Sequence, residues 1–171
     1  MGQEEILHIF FENPTMDFQI RGIAKLLNIS KTVTNYHIDR LVKENIILKQ
    51  KKSVFPSYRA NETSEIYRFY KTQNFLKKAL LSGLLDYLEY ECSPKCILLF
   101  GSFAKGEYDK DSDIDLFVQS SEQLLSLAKF EKRLKHKINL LFEPDLNKLS
   151  PELMNNILNG IKLRGYIKWK K

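Results

Sequence analysis

Two carboxylates, Asp113 and Asp115, stand two residues apart in the run Ser112-Asp113-Ile114-Asp115-Leu116, shortly after Gly101-Ser102-Phe103-Ala104-Lys105-Gly106. The apolar residues from 114 to 118 predict a strand, so both acids share one of its faces, with alpha carbons ~6.6 Å apart. Carboxylates that close repel unless a cation sits between them, and hard oxygen ligands of this kind select Mg²⁺ bridging to substrate phosphates. Residues 97–100 form a short apolar run that feeds into Gly101, where a close backbone approach costs little. Ser102 then offers a hydroxyl and backbone N–H groups. A phosphate-sized loop beside a pair of acids suits metal-dependent nucleotide chemistry. The bland alternative is a solvated turn built from Asp109, Asp111 and Asp113, with Asp115 capping it.

Such a site needs a sheet to hold it. Residues 97–100, 114–118 and 138–142 read as strands, and residues 166–169 as a last one. Residues 62–91 have few breakers and carry Ile66, Phe69, Phe75, Leu76, Leu80, Leu84 and Leu88 at spacings that fit one or two helices whose aromatic residues pack a core or a dimer seam. A further helix is expected over 123–134. Ser150 as N-cap with Pro151 at the first helical position opens another, ending near Asn159-Gly160. Strands and helices in this order give an α+β or mixed α/β arrangement.

The first sixty residues have a separate logic. Helices are expected over 4–11, 19–27 and 31–44, the last two joined by the tight turn Asn28-Ile29-Ser30 with Ser30 as N-cap. In the last of them Val33, Ile38, Leu41 and Val42 are expected to face inward, leaving Lys31, Thr32, Asn35, Tyr36, Arg40 and Lys43 outward. Strands over 46–50 and 58–60 flank the basic turn Lys51-Lys52-Ser53-Val54-Phe55-Pro56. Two helices on a short turn, followed by a hairpin, serve either to bind nucleic acid or to dock protein. For DNA, Ser30, Lys31, Thr32 and Asn35 stand where a recognition helix meets base edges, and Lys51, Lys52 and Arg59 beside phosphates.

Composition narrows the partners. The net charge of +6 and pI near 9.2 favour polyanionic ligands. No apolar stretch approaches the ~20 residues of a membrane span, and the amino terminus lacks a secretory signal, so a soluble cytoplasmic protein is expected. Cys92 and Cys96, with no other Cys and no nearby His to complete a tetrahedral metal site, read as ordinary reduced thiols.

The ordered string of strand, Gly-Ser-x-x-x-Gly and Ser-Asp-x-Asp-Leu resembles the signature of the DNA polymerase beta superfamily, most closely its minimal nucleotidyltransferase domains. The resemblance implies that Gly101, Ser102 and Lys105 hold a nucleoside triphosphate, with Lys110 a more distant phosphate contact, and that Asp113 and Asp115 are catalytic ligands of Mg²⁺ or Mn²⁺. The family's third carboxylate falls on Asn139, in Lys137-Ile138-Asn139-Leu140-Leu141, an amide that carries no charge and accepts no proton. Glu143, on the same strand face, lies ~13 Å further along. The run IAKLLNISKTVTNYHIDRLVKENII resembles winged helix-turn-helix repressors.

The two resemblances imply an α+β fold, a winged helix-turn-helix (residues 1–61), a helical connector (62–91) and a small mixed-sheet nucleotidyltransferase-like domain (92–171). They further imply a DNA-binding regulator related to toxin-antitoxin systems, transferring a nucleotide monophosphate from NTP to a hydroxyl. Its expected partners are NTP, double-stranded DNA, a toxin protein and a second copy of itself. The alternative is a non-catalytic transcription regulator whose second domain senses nucleotide or dimerises.

Overall fold

The computed structural model describes residues 2–51 and 54–167 and divides the chain into two compact units, residues 1–71 and 72–171. The boundary falls inside a helix, within the stretch expected as a connector.

In the first unit, helices α1 (Gln3–Glu12), α2 (Ile20–Leu27) and α3 (Lys31–Lys43) precede an antiparallel hairpin of β1 (Ile47–Gln50) and β2 (Ser57–Ala60). Asn28, in the left-handed region at φ 53°, ends α2. Ser30 opens α3 by accepting the backbone N–H of Val33 at 3.2 Å, satisfying one of the helix's free donors. The core gathers Ile6, Phe10, Ile23, Ile38, Leu41, Tyr58 and Tyr67. Tyr67 comes from the start of α4 (Glu65–Ser82), and its hydroxyl donates to the Phe10 carbonyl at 3.1 Å.

One inward assignment in α3 is corrected. Val33 is 40% exposed, whereas Thr34 is fully buried. Positions 34, 38 and 41 follow the helical period, and Thr34 is tolerated inside because its hydroxyl donates to the Ser30 carbonyl at 2.9 Å.

In the second unit, the rest of α4 is followed by α5 (Leu84–Cys92), with Gly83 at φ 79° breaking the helix between them. Then come β3 (Cys96–Phe100), α6 (Gly101–Lys105), β4 (Ile114–Val118), α7 (Ala128–Leu134), β5 (Ile138–Phe142), a 3-10 turn (Leu146–Lys148), α8 (Pro151–Leu158) and β6 (Ile161–Gly165). The sheet order is β5-β4-β3-β6, with β4 and β5 parallel and the other pairs antiparallel. Side chains alternate along β3, so Ile97 and Leu99 enter a core shared with Phe75, Leu88, Phe103 and Phe130, while Cys96 and Leu98 enter another with Phe117, Leu146 and Ile157. Both cysteines are free and buried, and burial pushes the Cys96 thiol up to about 11.

Two elements depart from the sequence-based expectation. Helix α7 starts at Ala128 instead of 123, because Leu125 and Leu127 turn into the core at two-residue spacing while Leu124 stays in solvent. The backbone N–H of Ser126 is taken by the Tyr87 hydroxyl at 3.2 Å, outside any helix. The last strand is β6, pairing Ile161 with Leu99, whereas Tyr166 and Ile167 are not in a strand and residues 168 and 169 lie outside the described residues. No helix among the described residues is long and apolar enough to cross a membrane.

Candidate functional site

β3 passes directly into α6 at Gly101, where only glycine fits. Its φ is +70°, and a Cβ there would stand 2.5 Å from Asp115 Oδ2. The start of α6, with half-buried Ser102, is thereby laid against the Asp115 carboxylate. Helix α6 is pinned by Phe103, whose ring stacks on Tyr108 at 4.0 Å and meets His136 edge-on at 4.9 Å. Gly101→Ala should lower stability by about 1–3 kcal/mol through left-handed strain and displacement of Asp115. The check is urea unfolding, where the midpoint should fall without a change in slope.

Asp113 is set by the turn before it. Asp109 accepts the Asp111 N–H at 3.0 Å and the Ser112 hydroxyl at 2.9 Å, so Asp109 shapes the turn. The Ser112 carbonyl faces His136 Nδ1 at 2.8 Å. A carbonyl only accepts, so Nδ1 carries the proton. Ile114 N–H then donates to the Lys137 carbonyl at 2.8 Å, tying the turn to the strand that carries Asn139.

That strand lies parallel to β4 with Asn139 beside Asp115. The Asn139 amide nitrogen donates to Asp113 Oδ2 at 3.3 Å and to Asp115 Oδ1 at 3.2 Å. One amide therefore bridges both carboxylates. Glu143 lies past the end of β5, where Phe142 pairs with Val118, and it accepts the Asp145 N–H at 2.9 Å. It caps a turn at the far end of the strand from Asp115. Among the described residues, no group of three or more His, Cys, Asp or Glu could hold a metal.

Gly101, Ser102, Asp113, Asp115 and Asn139 thus converge at one end of the sheet. Lys105 is exposed at the C-terminal end of α6, and Lys110 is exposed in the turn before Asp113. The aromatic pinning by His136 was invisible in the sequence, because it depends on residues more than thirty positions apart.

In the first unit, Lys31, Thr32 and Asn35 are exposed on the first turns of α3, Ser30 caps the helix, and Lys51 follows β1. Asn35 donates its amide to Asp39 at 2.8 Å, and Arg59 Nε donates to Asp17 at 2.9 Å. Lys52 lies outside the described residues. The sequence reading missed Arg21, at the start of α2, whose guanidinium carbon stands 5.5 Å from the Phe55 ring centroid.

Residues 83–165 match the polymerase beta nucleotidyltransferase family, and residues 3–47 match a winged helix-turn-helix DNA-binding family. The chain joins these two domains. Comparison with curated proteins found no match. The nucleotidyltransferase match runs from Gly83 to the last residue of β6 and so contains the whole four-stranded sheet with the Gly101, Asp113, Asp115 and Asn139 constellation. The winged-helix match contains α1, α2 and α3 and reaches the first residue of β1.

Proposed function

We propose that the protein is a DNA-binding regulator whose nucleotidyltransferase domain takes up a nucleoside triphosphate with one divalent cation and transfers the nucleotide monophosphate to a hydroxyl only slowly. The observation that carries this reading is the Asn139 amide within 3.3 Å of Asp113 and 3.2 Å of Asp115. A point that a neutral amide can satisfy from two carboxylates at once is also a point where a cation would be held by both. Two carboxylates plus substrate phosphates are a sufficient set for Mg²⁺, with Mn²⁺ its substitute.

When bound, Mg²⁺ would neutralise charge on the triphosphate and polarise its phosphoryl oxygens. Ser102 would hold a phosphate oxygen through its hydroxyl, and Lys105 would meet the outer phosphates. Transfer requires the acceptor oxygen to bond the alpha-phosphorus, pyrophosphate to leave, and the hydroxyl proton to pass to a base. Asn139 cannot take that proton, and Glu143 is committed to a turn at the other end of β5. Slow transfer follows from this missing base. The same residue favours a second reading, in which nucleotide is bound as a signal and never transferred.

Incubation with radiolabelled NTP, Mg²⁺ or Mn²⁺ and candidate acceptor proteins, a toxin partner among them, tests the reading. Label should appear weakly on an acceptor or remain as bound nucleotide; absence of both would overturn it. On the DNA side, affinity should fall steeply as salt rises, because phosphate contacts release counterions. Lys51→Ala should weaken binding to all sequences and reduce the salt slope by about one, while Asn35→Ala should mainly relax sequence preference. Operator selection from a random pool, followed by anisotropy titrations at several salt concentrations, checks both expectations.

A further inference from the structure

The peptide unit between Ser112 and Asp113 is planar, so whatever fixes the Ser112 carbonyl also fixes the direction in which the Asp113 backbone sets out. His136 Nδ1 stands 2.8 Å from that carbonyl oxygen and is the donor, because a carbonyl only accepts. On the other side of Asp113, the Ile114 N–H donates to the Lys137 carbonyl at 2.8 Å. His136 and Lys137 therefore grip both peptide units that flank Asp113. The carboxylate held between them accepts the Asn139 amide at 3.3 Å, the same amide that reaches Asp115 at 3.2 Å.

The grip is itself anchored. Lys135, at φ 62°, closes α7 with its N–H on the Glu131 carbonyl at 2.7 Å, and the Glu131 carboxylate takes the Ile138 N–H at 3.0 Å. Residues 135–138 are thereby tied at both ends to one turn of α7. The half-buried imidazole stands edge-on to Phe103 at 4.9 Å and to Tyr108 at 6.1 Å, and those two rings are stacked at 4.0 Å. Such contacts fix the plane of the imidazole. A phenylalanine could supply the packing; what it lacks is the nitrogen that His136 spends on the peptide before Asp113.

We propose that His136 is a positioning residue of the cation site, whose Nδ1–H holds the Ser112–Asp113 peptide so that the Asp113 carboxylate stays aimed at the point it shares with Asp115. The proposal rests on the nucleotide-binding reading of the second domain and deepens it by naming the side chain that prearranges its acids. Mg²⁺ demands near-ideal oxygen geometry and gives up water reluctantly, so a carboxylate free to swing is a poorer ligand than one held in place. Loss of the donor therefore acts on the cation-dependent part of nucleotide affinity and spares the part carried by Ser102 and Lys105.

The test compares the full-length wild type with His136→Phe, which keeps a ring against Phe103 and Tyr108 but has no donor, and with His136→Asn, whose amide nitrogen can replace Nδ1. Calorimetric titrations of a non-hydrolysable NTP are run with Mg²⁺ and with chelator, and melting temperatures are recorded without ligand. His136→Phe should weaken Mg²⁺-dependent binding by about 10–100-fold, the usual cost of losing a group that orients a metal ligand, and leave affinity in chelator unchanged. His136→Asn should recover most of the Mg²⁺-dependent affinity while melting below the wild type, since it gives up the ring contacts. A residue that only packs would make affinity follow stability in both variants. His136→Leu, smaller and equally without a donor, replaces the Phe variant if circular dichroism shows that the larger ring prevents folding. A donor-less variant that binds Mg²⁺ and NTP as the wild type does, affinities that fall together with and without Mg²⁺, or an Asn variant without recovery overturns the role of His136 and leaves the nucleotide reading standing. A wild type whose NTP affinity is indifferent to Mg²⁺ overturns both.

Discussion

Asn139→Asp will raise nucleotidyl transfer by about 10²–10⁴-fold, the usual worth of a positioned general base. An aspartate at this position in β5 lies beside Asp115, within reach of both existing carboxylates, and it supplies the proton acceptor and the charge that the amide lacks. The same change has a cost that can be read independently. Without a cation, three carboxylates replace a hydrogen-bonded amide bridge, and their mutual repulsion should lower the melting temperature of the variant. Mg²⁺ should restore much of that loss, whereas it should shift the wild type less. A variant that is neither faster nor more dependent on Mg²⁺ for stability would show that the position is not part of the site. Robust wild-type transfer that Glu143→Gln abolishes and Asn139→Asp leaves unchanged would instead move the third carboxylate to Glu143.

The second large effect concerns binding. Asp113→Ala/Asp115→Ala should weaken Mg²⁺-dependent NTP affinity by more than about 100-fold, since removing groups that merely support metal ligands already costs 10–100-fold. Ser102→Ala should cost less, because it removes one neutral hydrogen bond. Calorimetric titration of NTP into each protein, with Mg²⁺ and with chelator, separates these cases. Equal affinities under the two conditions, or an unaffected double variant, would contradict the assigned roles of both acids.

What is legible in the sequence depends on the range of the interaction involved. Local signals located the elements well: Ser30 and Ser150 cap the helices that follow them, and the apolar run over 138–142 is a strand with those bounds. The spacing of Asp113 and Asp115 anticipated their shared face. Failures came where a distant partner overrides the local pattern. Thr34 replaces Val33 in the core because its hydroxyl is satisfied by the preceding turn, a condition that hydrophobicity alone does not register. Residues 123–127 have helical composition, yet the Tyr87 hydroxyl and the core pockets for Leu125 and Leu127 hold them outside α7. The last strand is expected over 166–169, but β6 forms earlier, where Ile161 and Leu163 alternate and pack against the core.

The candidate site divides in the same way. Residue types and spacing brought out Gly101, Ser102, Asp113 and Asp115, and marked Asn139 as a departure. The bidentate reach of Asn139 depends on the parallel pairing of β4 and β5, and the closeness of Gly101 to Asp115 on the reversal at α6. Arg21 is not legible in the local pattern, because the ring it meets, Phe55, is more than thirty residues away in the chain.

On the proposed reading, Asp113, Asp115 and Asn139 form a nucleotide site for a single shared cation. Counting bound Mn²⁺ by electron paramagnetic resonance, in the presence of saturating non-hydrolysable NTP and at stoichiometric protein, tests this most directly. The wild-type chain should hold one Mn²⁺, Asn139→Asp alone should hold a second, and Asp113→Ala/Asp115→Ala should retain none. Two ions in the wild type, or one that persists when both aspartates are removed, would contradict it.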